Sequence, residues 1–178
     1  TEPIAVPGSW NDQFSNYRDF MGPAWYQTKF DMPRGWLNGN HVFLRFGSVN
    51  YLADVWLNGE KIGAHEGGHL PFEFEITAKI KKAENLLVLR VDNTLSRTQV
   101  PPGGVRQNYP GTNYDFFPFC GIQRPVLLYC MPEGGIKDIF VIPSIENGTG
   151  VATVSMETLE KGFNEARFII CLLYTSDA

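Results

Sequence analysis

The stretch Ala53-Asp54-Val55-Trp56-Leu57-Asn58-Gly59-Glu60-Lys61-Ile62-Gly63 decides the fold class. Two short runs suited to strands flank an Asn-Gly pair. A type I′ turn needs positive φ at both central residues, which Asn and Gly tolerate best, so the stretch predicts a tight β-hairpin.

Working outward, His41 to Phe46 alternates, with Val42, Leu44 and Phe46 on one face, as a half-buried strand would. Further strands are predicted at Phe72 to Ile76, Leu86 to Val91, Val126 to Cys130 and Ile136 to Ile142. Leu86 to Val91 is apolar nearly throughout, the pattern of a strand covered on both faces. Helical periodicity is almost absent, and most of the 12 prolines and 18 glycines fall between the runs. An all-β sandwich is therefore expected rather than helices on a parallel sheet.

Asn93 to Gln123 breaks this rhythm. It spans about 30 residues rich in Pro, Gly and Asn, where loops beyond ~12–15 residues in a compact domain are usually functional or disordered. Five aromatics between Tyr109 and Phe119 argue against disorder. After Met131-Pro132-Glu133-Gly134-Gly135 strand patterning restarts at Ile136 and again at Val151 to Met156, which predicts a domain boundary and part of a second sandwich. The last eight residues, Cys171 to Ala178, contain Cys-Leu-Leu-Tyr-Thr-Ser, which resembles one reading frame of a sequencing-library adapter. They are expected to be foreign to the fold.

Composition removes several function classes. A net charge of −4 without a basic run lacks the electrostatic footprint of a nucleic-acid binder. No apolar run approaches the ~20 residues that span a bilayer, so no membrane partner is expected. Cys120, Cys130 and Cys171 are odd in number and form no CxxC or Cys/His cluster, so neither a disulfide framework nor a zinc site is expected. The chain starts at Thr1 without a methionine, so any signal peptide is expected upstream.

Phosphate loops, GxSxG and dinucleotide fingerprints are all missing, and no cofactor or metal is expected. His65 and His69 flank Glu66-Gly67-Gly68 and read as surface loop histidines, because the glycines leave the pair poorly organised for a metal. His41 completes the set. Glycoside chemistry needs two carboxylates facing each other across the scissile bond. Asp31, Asp54, Glu60, Glu73, Glu75, Asp92 and Asp138 read instead as solvated or turn residues. Asp115 differs, lying in Asn113-Tyr114-Asp115-Phe116-Phe117-Pro118-Phe119. Two readings stand for it: a carboxylate desolvated beside an aromatic platform for a sugar ring, or an Asx-type turn before a packed Phe pair.

Ile4 to Gln13, Trp25-Tyr26-Gln27, Leu44-Arg45-Phe46, Val55-Trp56-Leu57-Asn58, His65-Glu66-Gly67-Gly68 and Asp115-Phe116-Phe117 through Gly121-Ile122-Gln123-Arg124 together resemble the β-glucuronidases of glycoside hydrolase family 2. The likeness runs from about Ile4 to about Ile142, in the family's order. It implies a galactose-binding-domain-like jelly roll over residues 1–133, short of its N-terminal part, and the start of an immunoglobulin-like sandwich over 134–170. It also implies a (β/α)₈ barrel elsewhere in the intact protein. That barrel carries an acid/base glutamate, a nucleophilic glutamate and an Asn-x-Lys pair for the glucuronate carboxylate, so no catalytic residue is expected in this chain. Retaining enzymes hold their two carboxyls only ~5–5.5 Å apart, which demands one rigid scaffold.

The resemblance further implies that Asp115 reaches into the sugar site and accepts hydrogen bonds from hydroxyls, with Tyr114, Phe116 and Phe117 supporting its loop. Relatives often continue with Asn-Tyr-Ala-Gly where this chain has Pro118-Phe119-Cys120-Gly121, and the proline removes a backbone donor. The implied partners are a β-glucuronide or related glycoside, the catalytic barrel, and further copies in a homo-oligomer. The alternatives are the same domain from a β-galactosidase or β-mannosidase, and a non-catalytic carbohydrate-binding module.

Overall fold

Asn58 and Gly59 have φ of 54° and 88°, so the hairpin forms through the positive-φ turn that its sequence predicts. The computed structural model describes residues 1–100, 102–106, 109–112, 119–159 and 165–169. The strands are β1 (Gly8–Ser9), β2 (Pro23–Phe30), β3 (Asn40–Phe46), β4 (Val49–Asn50), β5 (Leu52–Leu57), β6 (Glu60–Glu66) and β7 (Phe72–Glu75). They continue as β8 (Asn85–Asp92), β9 (Gly103–Arg106), β10 (Tyr109–Thr112), β11 (Gly121–Ile122), β12 (Val126–Pro132), β13 (Ile136–Glu146) and β14 (Thr149–Thr158). A single helical turn, α1 (Trp10–Gln13), starts where the Ser9 hydroxyl accepts from the Asn11 amide. Among the described residues no helix is long and apolar enough to cross a membrane.

The chain divides into two compact units, Thr1–Met131 and Pro132–Ala178. In the first, an antiparallel sheet in the order β2-β8-β5-β6 and a second in the order β12-β3-β7 form a β-sandwich. A small sheet, β1-β11-β4, is added to it. Alternation places Ala53, Val55 and Leu57 of β5 and Leu87, Leu89 and Val91 of β8 on the core side, where Val42, Leu44 and Phe46 meet them. Each Val, Leu or Phe buried in this way contributes roughly 1.5–3 kcal/mol.

The strand at Leu86 to Val91 departs from expectation. Only its Leu87, Leu89 and Val91 face is fully buried, whereas Leu86, Val88 and Arg90 are half-buried. Val88 lies opposite Trp56 and Gln27 in register, so neighbouring side chains of the same sheet cover it rather than a second layer. Its nearly continuous apolarity therefore overstated its burial.

β2 has no counterpart among the predicted strands. As an edge strand it buries only Tyr26 fully, so Pro23 to Phe30 carries no clean alternation. In the second unit β13 and β14 form one long hairpin, turned by Asn147 and Gly148 at φ of 50° and 78°. Its β13 is exposed along its whole length.

Candidate functional site

Tyr114, Asp115, Phe116 and Phe117 lie outside the described residues, as does the tail from Cys171. The structure does define how the loop that carries Asp115 departs from the sandwich and returns to it. At its departure the fully buried Asn93 accepts from the Gly22 amide at 2.8 Å and donates to the Phe20 carbonyl at 2.8 Å. The Gly103 amide then donates to the Ser96 carbonyl at 2.8 Å, and β9 pairs with β10. Part of this long stretch, β9 and β10, is therefore regular structure.

On the return side the Phe119 carbonyl accepts from the side-chain amides of Asn50, at 2.7 Å, and Gln123. The Cys120 amide donates to Ser9 Oγ at 3.1 Å and Asn11 Oδ1 at 3.0 Å. Gly121 has φ of 112°, and a Cβ there would come within 2.6 Å of the Tyr26 hydroxyl, so only glycine fits between β1 and β4. Burial pushes the Cys120 thiol up to about 12, which keeps it protonated and unreactive.

Ser9, Asn11, Asn50 and Gln123 are thus functional candidates that the sequence did not single out. The signal was small polar residues set among buried apolar ones, as in Gly47-Ser48-Val49-Asn50-Tyr51, where both polar side chains are buried. Ser48 Oγ donates to the Gly68 carbonyl at 2.5 Å, and a Cβ on Gly68 would lie 2.5 Å from Asn50 Oδ1. The His-Glu-Gly-Gly motif therefore serves close packing against Asn50.

His65 is not the surface loop histidine that was expected. It sits on β6, with its ring stacked on Phe72 at 4.1 Å and its Nε2 buried. Desolvation holds its pKa below the ordinary imidazole value. Glu66 and His69 are exposed, and no group of three or more potential metal ligands occurs among the described residues.

The carboxylates Asp31, Asp54, Glu60, Glu73, Glu75, Asp92 and Asp138 each have a partner. Asp54 binds Lys61 at 2.6 Å and Arg90 at 3.3 Å, and the hydrogen bond from Lys61 holds its pKa below the usual carboxylate value. Asp92 takes the other arm of Arg90 at 2.9 Å, Glu73 pairs with Arg45 at 2.9 Å, His41 Nδ1 lies 2.8 Å from Glu75, and Glu60 meets Lys79. Asp31 accepts from the Glu84 amide and Asp138 from the Ile139 amide. A general acid requires a raised carboxyl pKa, which cationic partners oppose. A cleft of about 1070 Å³ beside β2 is lined largely by core side chains such as Trp10, Phe14, Tyr26, Leu44 and Val126. What the described residues offer chemically is a rigid mount for a loop.

A family model described as "Glycosyl hydrolases family 2, sugar binding domain" matches residues 1–132. The β-glucuronidase of Canis lupus familiaris is 38% identical over 169 residues, which cover 85% of this chain and 26% of that protein. Among solved structures, the β-glucuronidase of an uncultured Clostridium sp. has a TM-score of 0.76 at 36% identity, covering 89% of this chain and 29% of the other. That of Bifidobacterium dentium, complexed with coumarin-3-O-glucuronide, has a TM-score of 0.74 at 36% identity, covering 80% and 27%. The chain spans between 26% and 29% of the length of these relatives.

Proposed function

The chain belongs to glycosyl hydrolase family 2, and on that footing we propose that it is the sugar-binding portion of a retaining β-glucuronidase acting on terminal β-D-glucuronides. The observation that carries this reading is the likeness to β-glucuronidases over most of the chain. In this proposal the sandwich is scaffold, and the loop bearing Asp115 forms one wall of the sugar site. Tyr114, Phe116 and Phe117 hold the aspartate, whose carboxylate accepts hydrogen bonds from sugar hydroxyls. The catalytic carboxyl pair comes from a barrel elsewhere in the protein, because two carboxyls ~5–5.5 Å apart require one rigid support. Residues 134–170 begin an immunoglobulin-like sandwich, and the intact protein assembles as a homo-oligomer.

The pairing of carboxylates with cations or backbone amides supports a supporting rather than a catalytic role for this portion. The test is the complete protein containing this chain, assayed on p-nitrophenyl β-glucuronide, β-galactoside and β-mannoside. Hydrolysis of the glucuronide with retained anomeric configuration is expected. Preference for either neutral glycoside would overturn the substrate assignment.

A further inference from the structure

Val100 and Phe119 flank residues 101–118, and two consecutive residues hold both of them. The Val100 amide donates to the Tyr51 hydroxyl at 3.1 Å. The Asn50 side-chain amide donates to the Phe119 carbonyl at 2.7 Å. Both holding residues are buried, with 7% of Asn50 and 3% of Tyr51 exposed, so each bond links an exposed residue to a side chain fixed in the sandwich.

The holders are themselves fixed. The Tyr51 amide donates to the Asp92 carbonyl at 3.3 Å and its carbonyl accepts from the Gly67 amide at 3.1 Å. Asn50 pairs with Gly121 across β4 and β11 and is wedged against Gly68. One dipeptide thus ties Val100 and Phe119 to the same point of the sandwich.

We propose that Asn50 and Tyr51 are positioning residues that set the reach of the Asp115 segment toward the sugar. This rests on the reading of Asp115 as a sugar contact. A wall held at two ends presents its acceptor in one place, and displacement of a substrate-positioning group by about 1 Å can cost on the order of 100-fold in rate. Neither residue touches substrate in this scheme; both act through Asp115.

The experiment uses the complete protein with Tyr51→Phe and Asn50→Ser, each made alone and combined with Asp115→Ala. Kinetics on p-nitrophenyl β-glucuronide are read together with chymotrypsin cleavage within residues 101–118 of the folded protein. Each single variant is expected to lower kcat/KM about ten-fold. In the Asp115→Ala background the same changes should cost less than about two-fold, since residues that act through one another are not additive. Cleavage should accelerate while the thermal midpoint stays close to that of the parent.

Single variants within about two-fold of the parent, or equal losses in both backgrounds, overturn the proposal. If Asp115→Ala itself leaves the kinetics unchanged, the sugar-contact reading fails separately. Cleavage rates then decide alone: faster cleavage sustains the anchorage of the segment, and unchanged rates overturn it.

Discussion

Asn58 Nδ2 donates to Asn85 Oδ1 at 3.0 Å, joining the residue that turns the β5–β6 hairpin to the first residue of β8. The bond crosses 27 residues of sequence and continues on both sides. Asn58 Oδ1 accepts from the Leu86 amide at 3.0 Å, while Asn85 accepts from the Lys81 amide and donates to the Lys81 carbonyl, both at 2.8 Å. Asn85 has no exposed surface.

Replacing Asn85 with Ala would therefore leave several groups without partners at once. Unsatisfied buried polar groups cost roughly 1–3 kcal/mol each, less where water can reach them. Asn85→Ala is expected to destabilise the chain by about 2 kcal/mol in urea unfolding. An unchanged midpoint would remove the network from the account of stability.

Gly63 faces a ring rather than empty space. A Cβ there would stand 2.1 Å from Phe74 Cε1. Gly63→Ala should cost about 3 kcal/mol, the upper part of the overpacking range. Gly63→Ala with Phe74→Leu should be less destabilised than the sum of the two single changes, because the second makes room for the first. Strict additivity would show that the ring yields without cost.

His65 should give the stability a pH dependence of known sign. Its folded pKa lies below the unfolded value of about 6.5 because burial disfavours the charged ring. The unfolded chain then takes up a proton before the folded one. Stability is complete above about pH 6.5 and declines as pH falls through that value toward the folded pKa. His65→Phe keeps an aromatic ring on Phe72 but cannot titrate. Thermal midpoints measured from pH 8 to pH 5.5 should fall less in this variant than in the parent, while the His41–Glu75 contact is common to both. Parallel curves would contradict the assignment.

Asp115→Ala in the complete protein is expected to lower kcat/KM for a glucuronide ten-fold or more. A hydrogen bond to a charged acceptor is worth about 1.5–3 kcal/mol, and its loss leaves a sugar hydroxyl unsatisfied. The thermal midpoint should hold. Kinetics equal to the parent would exclude Asp115 from the sugar site.

The strands legible in the sequence were those with a local cause. Asn58-Gly59 demanded a turn, and Val42, Leu44 and Phe46 alternated because one face of β3 packs into the core. β2 was illegible because an edge strand with one fully buried residue has no period. The second Asn-Gly turn, at Asn147-Gly148, carries the same local signal as the first.

The sequence by itself determined the all-β class, the tight hairpin at Asn58-Gly59 and the kinship with family 2, because turn chemistry, alternation and ordered motifs are all written in neighbouring residues. Only the tertiary structure decided that His65 stacks in the sandwich, that Asn85 ties a hairpin to β8, and that Asn50 and Tyr51 hold Phe119 and Val100. Each of those contacts joins residues separated along the chain. Their energy comes from leaving water together, which no single stretch of residues encodes.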